Sequence, residues 1–238
     1  MVAGAGGSIV AEEDIVILKV LSGSRAYGLD SPDSDYDLHG VFVAPTARLL
    51  SLGAKVADAK RFDGIDQENT GWEIRHFLEL ALNGNPTAIE TFVAPLVEAN
   101  ETGNALRALL PAVLSRKRIY DAVTGFSRTQ RARMFESTGK EAHTRSAKSA
   151  IAYLRSMWHG IELLRAGSYN PFIEEEGFRN LLHEVRSANT VPFPKVIEKA
   201  MELETELTAA YLASTVREEP DMSRVNTFLL DVRRQYWQ

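Results

Sequence analysis

The sequence contains no cysteine, which excludes a disulfide framework, thiolate chemistry and a zinc site built on cysteine. No apolar segment approaches the roughly 18 residues that a membrane helix needs. The glycine-rich start, residues 1–8, has neither the basic region nor the apolar core of a signal peptide. These absences lead us to expect a cytoplasmic protein without a membrane partner.

Common nucleotide and hydrolase signatures are also missing. The chain has no Rossmann glycine fingerprint, no Walker lysine motif and no G-x-S-x-G motif. Its composition, 45% hydrophobic and 25% charged, is that of a globular protein with one large domain or two small ones. Information on the fold therefore lies in local sequence patterns.

Positive charge is scarce overall but concentrated in one segment. The formal net charge is −5, which argues against a general nucleic-acid coat. Residues 114–165, however, contain 11 basic and 4 acidic residues, a surplus of seven positive charges. A local basic surface of this kind suits a triphosphate or an RNA segment, and a solvated helical face is the other interpretation.

Two apolar runs enclose a short polar segment near the N-terminus. Residues 15–21 are rich in β-branched side chains and predict a buried strand. Residues 38–43 predict a second strand, which ends before Pro45. Between them lies the sequence GSRAYGLDSPDSDYD, from Gly23 to Asp37. A turn with glycine and serine thus follows one strand, and two carboxylates open the next.

Asp35 and Asp37 are two residues apart on an extended chain, so their side chains point to the same face. Two such carboxylates repel each other unless a cation neutralises them. Mg²⁺, or Mn²⁺, prefers oxygen ligands of this kind and usually binds substrate phosphates as well. Gly23 and Ser24 can hold a phosphate through backbone N–H groups and a hydroxyl. The pattern indicates phosphoryl or nucleotidyl transfer.

The segment GSRAYGLDSPDSDYDLHGVFVAP resembles the nucleotidyltransferase superfamily typified by DNA polymerase β, whose pattern is G-S, a short spacer and D-x-D. More narrowly, it is similar to the RlaP-type predicted nucleotidyltransferases found beside RNA-repair ligases. The resemblance implies an α+β fold, with a polymerase-β-like nucleotidyltransferase domain and short mixed sheet over residues 1–99. A mostly helical domain follows over residues 100–238, and residues 95–104 are expected to form a linker.

The superfamily also implies a third carboxylate, on a strand beside the D-x-D strand. Glu73 fits by position, at the end of a predicted strand, although the superfamily usually has aspartate there. Asp35, Asp37 and Glu73 are therefore the expected catalytic residues and metal ligands. Glu90 is the alternative, in an N-P-T-x-x-E segment that also resembles the family; we expect it to be structural, on a helix capped by Thr87.

A long helix is predicted over residues 144–166, with an apolar stripe that packs inward. Lys148 and Arg155 are two turns apart and project together beside that stripe. Their spacing resembles the family's helical segment near its phosphate site, although Ala152 stands where the family has histidine. Further along the chain, Arg186 is expected to face the same cleft.

The resemblance implies that Gly23, Ser24, Arg25, Lys148 and Arg155 bind nucleotide. The implied reaction moves a nucleoside monophosphate from an NTP to an acceptor and releases pyrophosphate. The acceptor stays open between an RNA end, a protein and a small molecule, and neither the preferred base nor the oligomeric state follows. Two alternatives remain: a nucleotide- or RNA-binding module without turnover, and the nucleotidyltransferase part of a toxin–antitoxin pair.

Overall fold

The computed structural model describes residues 14–53, 55–61, 69–136, 142–187 and 191–238. Within these residues a small mixed sheet is surrounded by helices, which confirms the predicted α+β class. The strands are β1 (Ile15–Ser22), β2 (Asp37–Val43), β3 (Ala59–Lys60), β4 (Thr70–Glu73) and β5 (Leu96–Ala99). The helices are α1 (Gly23–Tyr27), α2 (Thr46–Leu50), α3 (Ile74–Leu82), α4 (Pro86–Val93), α5 (Glu101–Arg107), α6 (Leu110–Val113), α7 (Arg116–Glu136), α8 (Ala142–Ala166), α9 (Glu176–Ser187), α10 (Phe193–Ala213) and α11 (Met222–Gln235).

The sheet has the strand order β3-β4-β2-β1-β5. Strand β1 lies between β2 and β5 and is antiparallel to both, whereas β2, the middle strand, runs parallel to β4. Ile17, Leu18 and Val20 of β1 are almost completely buried, as the β-branched run predicts. The two strands predicted from the apolar runs are thus neighbours at the middle of the sheet.

The expected linker at residues 95–104 is wrong. Residues 96–99 form β5, and α5 starts at Glu101. The segment is tied to β1, because the Leu21 N–H donates to the Pro95 carbonyl at 2.9 Å and the Asn100 N–H to the Ile17 carbonyl at 3.2 Å. A four-residue segment can be an edge strand when its backbone groups find a partner, which local composition does not show.

The cap of α4 also differs from the prediction. Asn85, rather than Thr87, is the N-cap, because its side-chain oxygen accepts from the backbone N–H groups of Thr87 and Ala88 at 3.0 and 3.1 Å. Pro86 then occupies the first helical position, where its missing N–H costs nothing. This cap sets the start of the helix that carries Glu90.

The C-terminal half is mostly helical, as predicted, and α7, α9 and α10 pack against the long helix α8. Ala150, Leu154, Met157 and Leu164 form its buried stripe. Buried apolar side chains form one continuous cluster from the sheet through these helices. The end of β5 coincides with the predicted boundary at residue 99, and the division into two domains stays a prediction. None of the described helices is both long enough and apolar enough to cross a membrane.

The last helix, α11, returns to the sheet side of the molecule. The carbonyls of Tyr236 and Trp237 accept from the N–H groups of Thr46 and Ala47 at 2.8 and 2.9 Å. These contacts hold Tyr236 and Trp237 against α2, which lies about 190 residues earlier in the sequence.

Candidate active site

The ends of β1 and β2 bring the glycine–serine turn and the aspartate pair together. Ser22, the last residue of β1, lies opposite Asp37, the first residue of β2. Gly23 has a φ of 69°, and a Cβ at this position would lie 2.1 Å from Oδ2 of Asp37. The close approach of the carboxylate to the backbone therefore requires glycine here.

Asp35 and Asp37 line a cleft with a volume of about 490 Å³. Asp35 is exposed and Asp37 is half-buried. The cleft is also lined by Ser24, Lys148, Arg155 and Arg186, so the structure brings most of the predicted site residues to one space. Arg186 faces the cleft, as expected.

Lys148 and Arg155 project from the same face of α8, but their surroundings differ. Lys148 is exposed. Nη1 of Arg155 donates to Oε2 of Glu90 at 2.8 Å, and its guanidinium carbon lies 3.7 Å from the centre of the Tyr27 ring. The positive charge of Arg155 is therefore already paired, which the spacing of the two residues did not reveal.

Glu90 is the centre of a buried polar cluster beside the cleft. Its Oε1 accepts from the Tyr27 hydroxyl at 2.8 Å and from the Ser22 hydroxyl at 3.4 Å. Burial is the main reason that the pKa of Tyr27 is raised, so its hydroxyl stays protonated. Burial alone would lower the pKa of Arg155, but the neighbouring Tyr27, Glu90 and Tyr169 raise it, so the guanidinium stays charged.

A second cavity of about 100 Å³ adjoins the cleft, since Tyr27 and Arg155 line both. His39 and His159 line this cavity, and one ring nitrogen of each is buried without a hydrogen-bond partner in the described part of the chain. Burial lowers the pKa of His39. Burial, together with the charge of Arg155, lowers the pKa of His159 well below its usual value. Both imidazoles are therefore neutral at pH 7.

The structure does not bring Glu73 to the aspartate pair. Strand β4 does lie beside β2, but the parallel register places Glu73 opposite Phe42, five residues beyond Asp37. That separation corresponds to about 16 Å along a strand, too far for one metal ion. Glu73 instead accepts from Arg233 at 2.8 Å and from the backbone N–H of Arg75 at 2.9 Å. We therefore leave Glu73 out of the proposed metal site.

Arg25 lies beside the cleft rather than in its lining. Its Nε and Nη2 donate to the carbonyl oxygen of Ser34 at 3.1 and 2.7 Å, and its Nη1 donates to Asp30 at 3.4 Å. The structure thus places Arg25 against the loop that carries Asp35, and not at the position expected for direct contact with nucleotide.

The oxygen donors of Asp35 and Asp37 fit an ion such as Mg²⁺. This ion is usually held by one or two carboxylates and completes its shell with water and substrate phosphates. Among the described residues, no group of three or more histidine, aspartate or glutamate side chains is arranged to bind a metal ion. Residues 62–68 contain three acidic residues and lie outside the described part.

A family model described as "RNA repair pathway DNA polymerase beta family", RlaP, matches residues 8–231. The chain belongs to the RlaP family. The family description names DNA polymerase β, which confirms the predicted family, and the small mixed sheet with its helices agrees with the predicted fold class. Membership suggests a nucleotidyltransferase-like role.

Two curated proteins align with part of the chain. It is 35% identical over 98 residues to the uncharacterized protein YcgL of Bacillus subtilis (strain 168), which covers 40% of this chain and 37% of YcgL. It is 28% identical over 86 residues to an uncharacterized 38.9 kDa protein in the nrdC-mobD intergenic region of Enterobacteria phage T4, covering 33% and 26%. The aligned part is thus well under half of each relative.

Among the cleft-lining residues that sequence reasoning missed are two polar residues of α8, His143 and Thr144. Both lie in the first turn of α8. The signal was present, because Thr144 precedes Lys148 by four residues and Lys148 precedes Ala152 by four, which places all three on one helical face. Extending that helical face by one turn, toward the N-terminus of α8, would have reached Thr144.

Proposed function

We propose that this protein is a nucleotidyltransferase that uses Mg²⁺ or Mn²⁺ to transfer a nucleoside monophosphate from an NTP to an acceptor. The observation that carries the proposal is the convergence of Asp35 and Asp37 with Ser24 and Lys148 around one open cleft. Carboxylates suit the metal ion, whereas the hydroxyl and the ammonium suit phosphate oxygens. Membership of the RlaP family supports this assignment.

Each side chain has a distinct role in this proposal. Asp35 and Asp37 would hold the divalent cation, which when bound would neutralise charge on the phosphates and lower the pKa of the attacking hydroxyl. Ser24 and the backbone at Gly23 bind the terminal phosphates. Lys148, which lines the same cleft, provides positive charge for the pyrophosphate as negative charge develops on it.

The reaction balances without a further co-reactant. The acceptor oxygen forms a bond to the α-phosphorus of the NTP, and the bond from that phosphorus to the oxygen bridging to the β-phosphate breaks. Pyrophosphate leaves with the bonding electrons. The proton of an acceptor hydroxyl passes to water in the open cleft, since both aspartates are assigned to the metal ion.

We favour an RNA end as the acceptor. The family description names an RNA repair pathway. The described basic residues between positions 114 and 165 lie on α7 and α8, and Arg128 and Arg131 of α7 are exposed. Exposed arginines attract an RNA backbone through its phosphates. A protein side chain or a small molecule as acceptor would use the same cleft and is a distinguishable outcome of the experiment below.

The experiment incubates the protein with each common NTP, labelled at the α-phosphate, together with Mg²⁺ and RNA oligonucleotides of defined ends. Asp37→Asn is the matched control, because it keeps the shape of the side chain and removes its charge. We expect label to move to RNA with release of pyrophosphate, and the variant to lose this activity. No transfer by the wild type to RNA or to any component of a cell extract would contradict the proposal.

A nucleotide-binding module without turnover is the second candidate. The observation in its favour is that the described residues contain no cluster of three metal-binding side chains. A module of this kind would bind an NTP with Mg²⁺ yet release no pyrophosphate at any acceptor concentration. The transfer experiment therefore separates the two functions once binding has been shown.

A further inference from the structure

Asp35 lies outside the sheet, so the strand register does not fix its position. Strand β2 begins at Asp37, which lies opposite Ser22. Residues 29–36 form an irregular, mostly exposed loop, closed by the Ser34 N–H, which donates to the carbonyl of Ser31 at 2.9 Å. Exposed loops are more mobile than the strands they join, so another contact must hold Asp35 beside Asp37.

Arg25 holds the loop on both sides of Asp35. Its forked guanidinium donates two hydrogen bonds to the Ser34 carbonyl, at 3.1 and 2.7 Å. Its guanidinium carbon also lies 4.1 Å from the centre of the Tyr36 ring. Ser34 and Tyr36 are the two chain neighbours of Asp35, so a single side chain restrains the backbone before and after it.

Arg186 holds the same loop from α9, in the helical half of the molecule. Its Nη2 donates to the Ser34 hydroxyl at 3.1 Å, and its Nη1 donates to the Leu29 carbonyl. Two arginines from distant parts of the chain therefore meet at Ser34. This arrangement connects the helical half of the molecule to the loop that carries Asp35, which no strand of the sheet holds in place.

We propose that Arg25 and Arg186 are positioning residues for the metal site, which act through Ser34 and Tyr36 to hold the Asp35 carboxylate beside Asp37. The proposal rests on the proposed function, because it assigns their effect to the metal-bound nucleotide. Contacts that orient metal ligands typically change metal affinity or activity by about 10- to 100-fold. Arg25 is the better test, since Arg186 also lines the cleft.

Arg25→Lys separates position from charge. Lysine keeps the positive charge but has no planar fork for the Ser34 carbonyl and stacks poorly on Tyr36. The measurement is Mn²⁺ binding by electron paramagnetic resonance, in the presence of a non-hydrolysable NTP analogue. Arg75→Lys is the matched control, because Arg75 is an exposed arginine paired with Glu79 and lies outside the cleft lining.

We expect Arg25→Lys to weaken Mn²⁺ binding by about tenfold or more, and Arg75→Lys to leave it unchanged. Arg186→Lys should shift binding in the same direction as Arg25→Lys. Urea unfolding of all variants establishes that each is folded under the assay conditions. A loss of affinity in a folded Arg25→Lys variant is not what a purely structural role predicts.

Two other results would overturn the inference in different ways. Wild-type affinity in Arg25→Lys would show that the charge alone, rather than the fork, matters, and the positioning role would be wrong while the proposed function stood. No binding of Mn²⁺ and NTP by the wild type itself would remove the proposed function and this inference together.

Discussion

Replacing Arg155 with alanine removes the partner of a buried carboxylate. The side chains of Arg155 and Glu90 are only 17% and 6% exposed, and they pair at 2.8 Å. Removing one member of a buried ion pair costs about 3–5 kcal/mol, because the other charge stays buried without compensation. Since folded domains are stable by only about 5–15 kcal/mol, we expect Arg155→Ala to lose a large part of its stability.

The assay is urea unfolding near neutral pH, followed by circular dichroism, with the denaturant slope compared between variants. Lys148→Ala is the matched control, because Lys148 lies on the same helix and lines the same cleft but is exposed. Its free energy of unfolding should stay within about 0.5 kcal/mol of the wild type. Spacing alone predicts equivalent behaviour for these two residues, so the comparison isolates the effect of the buried partner.

A second substitution tests the physical reason. Glu90→Gln in the Arg155→Ala background removes the negative charge that has lost its partner, and it keeps a side-chain oxygen that accepts from the Tyr27 hydroxyl. We expect it to restore part of the about 3–5 kcal/mol lost, because a buried charge without a partner is no longer present. The reasoning is refuted if Arg155→Ala is no less stable than Lys148→Ala, or if the added Glu90→Gln lowers stability further.

Three further predictions concern histidine titration, Glu73 and Gly23. Because the pKa of His159 is lowered, the unfolded chain binds a proton near pH 6.5 while the folded chain does not. As the pH decreases below about 6.5, the free energy of unfolding should therefore decrease, by up to about 1.4 kcal/mol per pH unit. His159→Gln should flatten this dependence in urea unfolding at several pH values. Glu73→Gln should lower stability by about 1.5–3 kcal/mol, through its bond to Arg233, and leave calorimetric NTP binding with Mg²⁺ unchanged. Gly23→Ala and Gly167→Ala both place a side chain at positive φ and should each lower the free energy of unfolding by about 1–2 kcal/mol. Only Gly23→Ala should weaken NTP binding, because only there does the new Cβ meet Asp37. Equal losses of NTP binding in the two variants would contradict this.

The strands and the aspartate pair could be predicted because their signals are local. A β-branched run predicts β1, and the D-x-D motif marks Asp35 and Asp37, which line one cleft. The expectation that both lie on one strand is wrong, because β2 begins at Asp37 and Asp35 lies in the loop before it. The position of Glu73 could not be predicted in the same way. The parallel register of β2 and β4 depends on the long connection between them. Strand β4 does lie beside β2, as expected, but Glu73 pairs with Phe42 rather than with Asp37.

The partners of the arginines also depend on tertiary structure. The spacing of Lys148 and Arg155 predicts a shared helical face, but Glu90, which pairs with Arg155, comes from a helix far away in the sequence. Arg25 follows the glycine–serine turn directly, and its motif suggests contact with phosphate. In the fold it turns instead toward Ser34, whose position is set by a turn and by Arg186.

The central claim is that Asp35 and Asp37 bind an NTP through a divalent cation. The most direct test is the change in melting temperature caused by a non-hydrolysable NTP analogue, in Mg²⁺ and in EDTA, for the wild type and for the double variant Asp35→Asn and Asp37→Asn. A ligand that binds the native state raises the melting temperature. We predict a rise for the wild type in Mg²⁺ or Mn²⁺, and none in EDTA or for the double variant, which should fold normally because a repulsion between carboxylates is removed. A rise of equal size in EDTA, or an undiminished rise in the double variant, would contradict the claim.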